Sequence, residues 1–142
     1  MHPRQIARTM LRWHGISLIT LGLANATASY LATRYPLPGP FAFLALDPFP
    51  EVGFLQAYLL AALVGVTLLL GSRLERFVVF DLVGLAMHAI PPLTLVLMWT
   101  QIEQRMGSGV IALSISIHAV FVLWESIALY CYVRGGRRAA AA

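Results

Sequence analysis

Lysine is absent from this 142-residue chain, cysteine occurs once, and charged residues of all kinds make up only 11 %. Each scarcity excludes something. A soluble domain carries about 25 % charged residues, so no water-facing surface can be built from this composition and the chain must be solvated by lipid. The single Cys131 excludes an intramolecular disulfide and a thiolate metal site, and reads as a small apolar packing residue. Gly-rich phosphate loops, a nucleophile elbow and the H-E-x-x-H pattern are all missing. With only two acids deep inside apolar stretches, a two-metal carboxylate centre is also excluded.

What is present is apolar. Hydrophobic residues make up 59 % of the chain, and its mean hydropathy is +0.78. Four stretches nearly free of charge, at about 13–33, 52–72, 77–100 and 108–133, each have the length of a membrane span. Lipid offers no partners for backbone N–H and C=O groups, so these spans must be helices. The expected fold is all-α: one transmembrane domain over 1–142, a four-helix up-down-up-down bundle. Residues 134–142, "RGGRRAAAA", read as a disordered basic tail.

All ten basic residues are arginine. Together with abundant Ala, Gly and Pro, this suggests a bacterial chain from a GC-rich genome. Arg4, Arg8, Arg12, Arg73, Arg76, Arg134, Arg137 and Arg138 fall on one side of the spans, against Arg34 and Arg105 on the other. That asymmetry places both termini in the cytoplasm and the protein in the plasma (inner) membrane as a multi-pass protein. The arginines cap apolar segments and form no single basic face, so a nucleic-acid partner is not expected. The opening residues also resemble a signal peptide, with Ala-x-Ala sites at Ala24 and Ala26; they are read as a retained span.

Segment 34–53 holds five of the eight prolines and cannot be helical throughout. Its Phe41, Phe43, Leu44, Leu46 and Phe49 suggest a partly embedded outer lid, with a stiff connector as the alternative. Ala57, Ala61 and Gly65, and likewise Gly22 and Ala26, form small-residue stripes that let helices approach closely. They serve an internal contact or, less directly, a homodimer face.

The chemistry-bearing residues lie inside the third and fourth spans. Asp81 and His88 are seven residues apart, as are His118 and Glu125, so each pair occupies one helix face. Counting inward from a short turn "TQIEQRMGSG", His88 falls level with His118, and Asp81 with Glu125. A His–His rung should therefore stand above a carboxylate–carboxylate rung. His14, near the cytoplasmic end of the first span, should reach the depth of the acids, and Asn25 shares its face. Ser114, Trp99 and Trp124 are candidate lining groups. Each ionisable group inside a membrane costs about 2.5 to 3.5 kcal/mol on insertion scales, which argues against four idle ones at matched depths. Interhelical hydrogen bonding is the structural alternative. Pro91 and Pro92 should free the carbonyls of Met87 and His88 and widen the bundle beside the histidine.

The four spans and the "MHAIPP" stretch resemble the sterol-isomerase and sigma-2-receptor-like four-span proteins, which keep acids and a histidine in an intramembrane cavity. Ala89 to Pro92 stand where a Thr-Thr pair follows the histidine in that group, so the likeness is one of architecture. Three readings follow. In the first, Asp81, His88, His118 and Glu125 act on a hydrophobic small molecule (sterol, isoprenoid, quinone or lipid), binding it and isomerising it or shuttling protons, with His14, Asn25, Ser114, Trp99 and Trp124 lining the pocket. In the second, the chain is a non-enzymatic accessory or assembly subunit of a respiratory or photosynthetic membrane complex. In the third, His88 and His118 ligate haem b, which needs ligand helices wider apart than the about 8 to 10 Å of packed neighbours.

Overall fold

A computed structural model describes residues 3–75 and 77–140, with side chains through Arg134. Arg76 and the side chains of Arg137 and Arg138, which contribute to the expected orientation, lie outside the described residues. The described chain is all-helical: α1 Pro3–Ala32, a 3-10 turn Ala42–Ala45, α2 Glu51–Gly71, α3 Val78–Leu97, α4 Trp99–Met106 and α5 Ser108–Ala140. Four of these, α1, α2, α3 and α5, are long and apolar enough to cross a membrane.

Local chemistry sets the breaks. α1 ends just before Tyr35-Pro36, where a following proline disfavours helical backbone. Pro48 and Pro50 precede α2, whose first residue, Glu51, complements the positive end of the helix dipole. Between α4 and α5 the chain turns at Gly107 with φ +80°, a conformation that only glycine adopts without strain.

Three boundaries correct the expectations. The first helix begins at Pro3, ten residues before the apolar stretch, so its arginines extend the same helix. The turn expected over "TQIEQRMGSG" contains the eight-residue helix α4, amphipathic and without a buried residue. The tail expected to be disordered continues α5 to Ala140. Pro91 and Pro92 sit inside α3, which runs through them to Leu97.

α1 is the central element, packed between α2 and α5, while α3 packs mainly on α5. α1 and α2 are antiparallel: Gly15 opposes Gly65 and Leu69, and Gly22 opposes Tyr58 and Ala62. A Cβ on Gly15 would stand 2.7 Å from the Gly65 carbonyl oxygen, and one on Gly65 would stand 2.6 Å from the Gly15 oxygen. Two backbones in such contact leave no room for any side chain between them. The small-residue stripes thus make an internal seam, except that Ala57 is exposed and the seam runs through Ala61, Ala62 and Gly65 instead.

The proline-rich loop folds onto one end of the bundle. Phe41 and Leu44 are buried against Ala32, with Phe43, Phe54 and Tyr58 around them, and Phe41 meets Phe54 and Tyr58 edge-on. Leu46 and Phe49 remain almost fully exposed. The side chain of Arg105 on α4 donates to Asp47 Oδ2 at 2.7 Å, tying α4 to this loop. At the other end, Arg8 donates to the Leu74 carbonyl at 3.1 Å and lies over the Phe77 ring.

Candidate functional site

The faces of α3 and α5 that carry ionisable groups do turn toward each other, and α1 completes the arrangement. His14, Asp81 and Glu125 are 1 %, 0 % and 0 % exposed, and His88 is 3 % exposed. His14 Nδ1 hydrogen-bonds Glu125 Oε1. His14 Nε2 lies 2.7 Å from His88 Nε2, and His88 Nδ1 lies 2.9 Å from His118 Nδ1. Glu125, His14, His88 and His118 therefore form one unbroken chain across three helices.

Glycine and an aromatic ring make this geometry attainable. Gly84 lies between Asp81 and His88 on the same face of α3. A Cβ there would come within 3.0 Å of His14 Cε1 and 3.1 Å of Glu125 Oε1, so the missing side chain is the space those groups fill. Phe121, between His118 and Glu125 on α5, stacks on His88 at 4.4 Å and on His14 at 5.0 Å between centroids. The ring excludes other partners from the imidazole faces and fixes their planes. Neither residue figures among the expected site residues. Their signal is their position, three or four residues from each ionisable neighbour.

Proton positions follow from the network. A carboxylate can only accept, so His14 Nδ1–H donates to Glu125. His14 Nε2 then accepts from His88 Nε2–H, and His88 Nδ1 accepts from His118 Nδ1–H. All three imidazoles are neutral in this assignment, and the Nε2 lone pair of His118 is left open, since among the described residues it hydrogen-bonds His88 alone. A proton arriving there can pass from ring to ring by exchange of N–H partners and emerge on Glu125. No atom need move by more than a hydrogen-bond rearrangement.

Asp81, one turn from Gly84 on the same face of α3, occupies the Glu125 end of this chain: a Cβ on Gly84 would stand 3.1 Å from the Glu125 carboxyl carbon. Both Asp81 oxygens and Glu125 Oε2 are buried without a hydrogen-bond donor among the described residues. The expected His–His and carboxylate–carboxylate rungs are thus both present, and His14 joins one to the other.

The remaining candidates are placed elsewhere. Asn25 is half-buried, donates to the Leu21 carbonyl of its own helix, and lines a separate cleft of about 180 Å³ beneath Pro38 and Pro40. Sharing a face with His14 does not suffice, because three turns of helix separate them. Trp99 belongs to α4 and donates to Glu103, away from the relay. Trp124 points to α1, where its indole donates to the Met10 carbonyl at 3.1 Å; it clamps α5 to α1 from outside. Ser114 is half-buried one turn from His118 and makes no hydrogen bond to the relay.

A cleft of about 450 Å³ opens between α3 and α5, lined by His88, Ala89, Pro92, Ala119, Val122 and Ser126 among others. Its walls are almost wholly apolar, and His88 is where it meets the relay. The imidazoles touch one another directly, so a porphyrin between them would require the pairs to separate. Among the described residues no group of three or more His, Cys, Asp or Glu is disposed to hold a metal ion. No protein-family model, curated protein or solved structure matches this chain.

Proposed function

We propose that the protein is a multi-pass inner-membrane protein that binds a hydrophobic small molecule in the α3–α5 cleft, beside Ala119, and exchanges a proton with it at the open Nε2 of the adjoining His118, and from there through His88 and His14 to Glu125. The observation that carries this reading is the unbroken imidazole–carboxylate chain meeting an apolar cleft at His88. A cleft of about 450 Å³ lies within the roughly 300 to 1,000 Å³ of small-molecule sites. Its apolar walls suit a sterol, isoprenoid, quinone or lipid tail, and the histidines suit a polar or ionisable head. The chain crosses the membrane up-down-up-down with both termini cytoplasmic, and the proline-rich loop and α4 lie on the outer side. The arginine distribution supports this orientation.

Mass spectrometry of organic extracts from the purified protein provides the test. A hydrophobic compound should co-purify with wild type and be lost from the cleft-filling variant Ala119→Phe, and Glu125→Gln, away from the cleft walls, should retain binding but abolish proton exchange with it. Equal compound content in wild type and Ala119→Phe would defeat the proposal. Stoichiometric capture of other membrane subunits, with no bound compound, would favour the accessory-subunit reading, and a Soret band would favour haem.

A further inference from the structure

The carboxyl end of the relay has a property that the cleft reading does not need. Asp81 is completely buried, and neither of its oxygens meets a donor among the described residues; Glu125 Oε2 is in the same position. Burying one unpaired carboxylate is costly, and burying two side by side compounds the cost by mutual repulsion. His14 serves only Glu125 Oε1, and its other nitrogen is engaged by His88. α2 supplies no relief, for its ionisable groups Glu51 and Tyr58 lie toward the loop end, where Glu51 accepts from Ser29.

On the side of the pair facing the chain's N-terminus, each member of the cluster stands on an apolar residue one turn away. Leu11 lies beneath His14, Phe77 beneath Asp81 and Ala128 beneath Glu125, at 0 %, 1 % and 0 % exposure. The Phe77 and Tyr132 rings meet edge-to-face at 5.0 Å just beyond, and Arg8 and Arg4 lie over these two rings. The residues directly beneath the pair, Leu11, Phe77 and Ala128, carry no polar group through which a proton or water could pass. The three histidines are the remaining polar route.

We infer that Asp81 and Glu125 form a proton-binding site in which the two carboxyls share a single proton, held at the closed end of the relay and exchanged only through His118. The shared proton lies between Glu125 Oε2 and an Asp81 oxygen, gives two of the three orphan oxygens a partner, and removes one of two adjacent negative charges. Loading is balanced: one N–H forms at His118 Nε2, each N–H along the chain passes to the next ring, one O–H forms on Glu125 Oε1, and rotation of that carboxyl carries the O–H round to Asp81. Release is the reverse. The site concerns the same relay as the proposed function, but its occupancy does not depend on any molecule in the cleft.

Infrared spectroscopy of the full chain in lipid nanodiscs at neutral pH, with no ligand added, tests it. Wild type should show a protonated-carboxyl C=O stretch that shifts in frequency in Asp81→Asn and in Glu125→Gln and is absent when both are substituted, with helicity by circular dichroism unchanged. Transfer to D2O should shift that band, and His118→Phe should slow the shift by at least about a hundredfold. The inference is overturned if wild type lacks the band, if the band survives both carboxyl substitutions, or if His118→Phe exchanges as fast as wild type. A sodium-dependent rise in thermal stability without the band would likewise overturn it, in favour of a bridging cation. Should either amide variant fail to fold, the wild-type band and its exchange rate in His118→Phe still decide. Loss of ligand binding in the cleft leaves all of these readouts in place, so the two proposals fail separately.

Discussion

α1 presents two faces, and they are held by different physics. Toward α2 it offers Gly15 and Gly22, and the helices meet backbone to backbone. Toward α3 and α5 it offers His14, and the helices meet through a hydrogen-bonded chain of ionisable groups. In lipid neither seam gains from the hydrophobic effect, because the tails are as apolar as any leucine. The first relies on the many weak dispersion contacts that close approach permits. The second relies on a few strong polar contacts, each costly to leave unmade. One seam tolerates no added atom, and the other tolerates no missing partner.

The sharpest way to break this comparison is to remove a partner. His14→Phe leaves Glu125 buried and unpaired and should cost about 3 to 5 kcal/mol of unfolding free energy, read by denaturant titration in mixed micelles. The double variant His14→Phe/Glu125→Leu should regain part of that loss, because apolar replacement of a buried pair is often neutral while His88 and Asp81 each lose a neighbour. A single variant within error of wild type would show that the polar seam carries no weight. Next in size is an added atom: Gly15→Ala drives a methyl against the Gly65 and Leu69 backbones and should cost about 1 to 3 kcal/mol.

Gly84→Ala sharpens the contrast, because its methyl meets the His14 and Glu125 side chains rather than backbone. The rings can shift, so the stability loss should stay near about 1 kcal/mol, while proton exchange through the relay is lost. Ala57→Leu, on the exposed side of the same small-residue stripe, should stay within about 0.5 kcal/mol by the same titration. A loss as large as that of Gly15→Ala would put Ala57 in the seam after all.

The helices were legible in the sequence because lipid imposes a coarse rule, about 20 apolar residues per crossing. The matched spacing of Asp81, His88, His118 and Glu125 likewise made two facing rungs readable, since a helix rises by a fixed step per residue. What that arithmetic does not encode is azimuth. Trp124 adjoins Glu125 in sequence yet meets α1 at the Met10 carbonyl instead of at His14, and Asn25 shares a stripe with His14 but not its depth. Gly84 and Phe121 escaped notice because they carry no charge, and their roles exist only once three helices meet. α4 was missed because eight amphipathic residues between spans resemble a polar turn, and its shape depends on the glycine that follows.

The Asp47–Arg105 contact has a further consequence. It joins two connecting segments far apart in sequence, and both side chains are well exposed. Mobile ions reach such a pair freely and weaken it within a Debye length of about 8 Å at physiological ionic strength, whereas His14, His88, Asp81 and Glu125 are buried away from them. Salt therefore acts on one extremity of the molecule and leaves the buried hydrogen-bonded groups untouched.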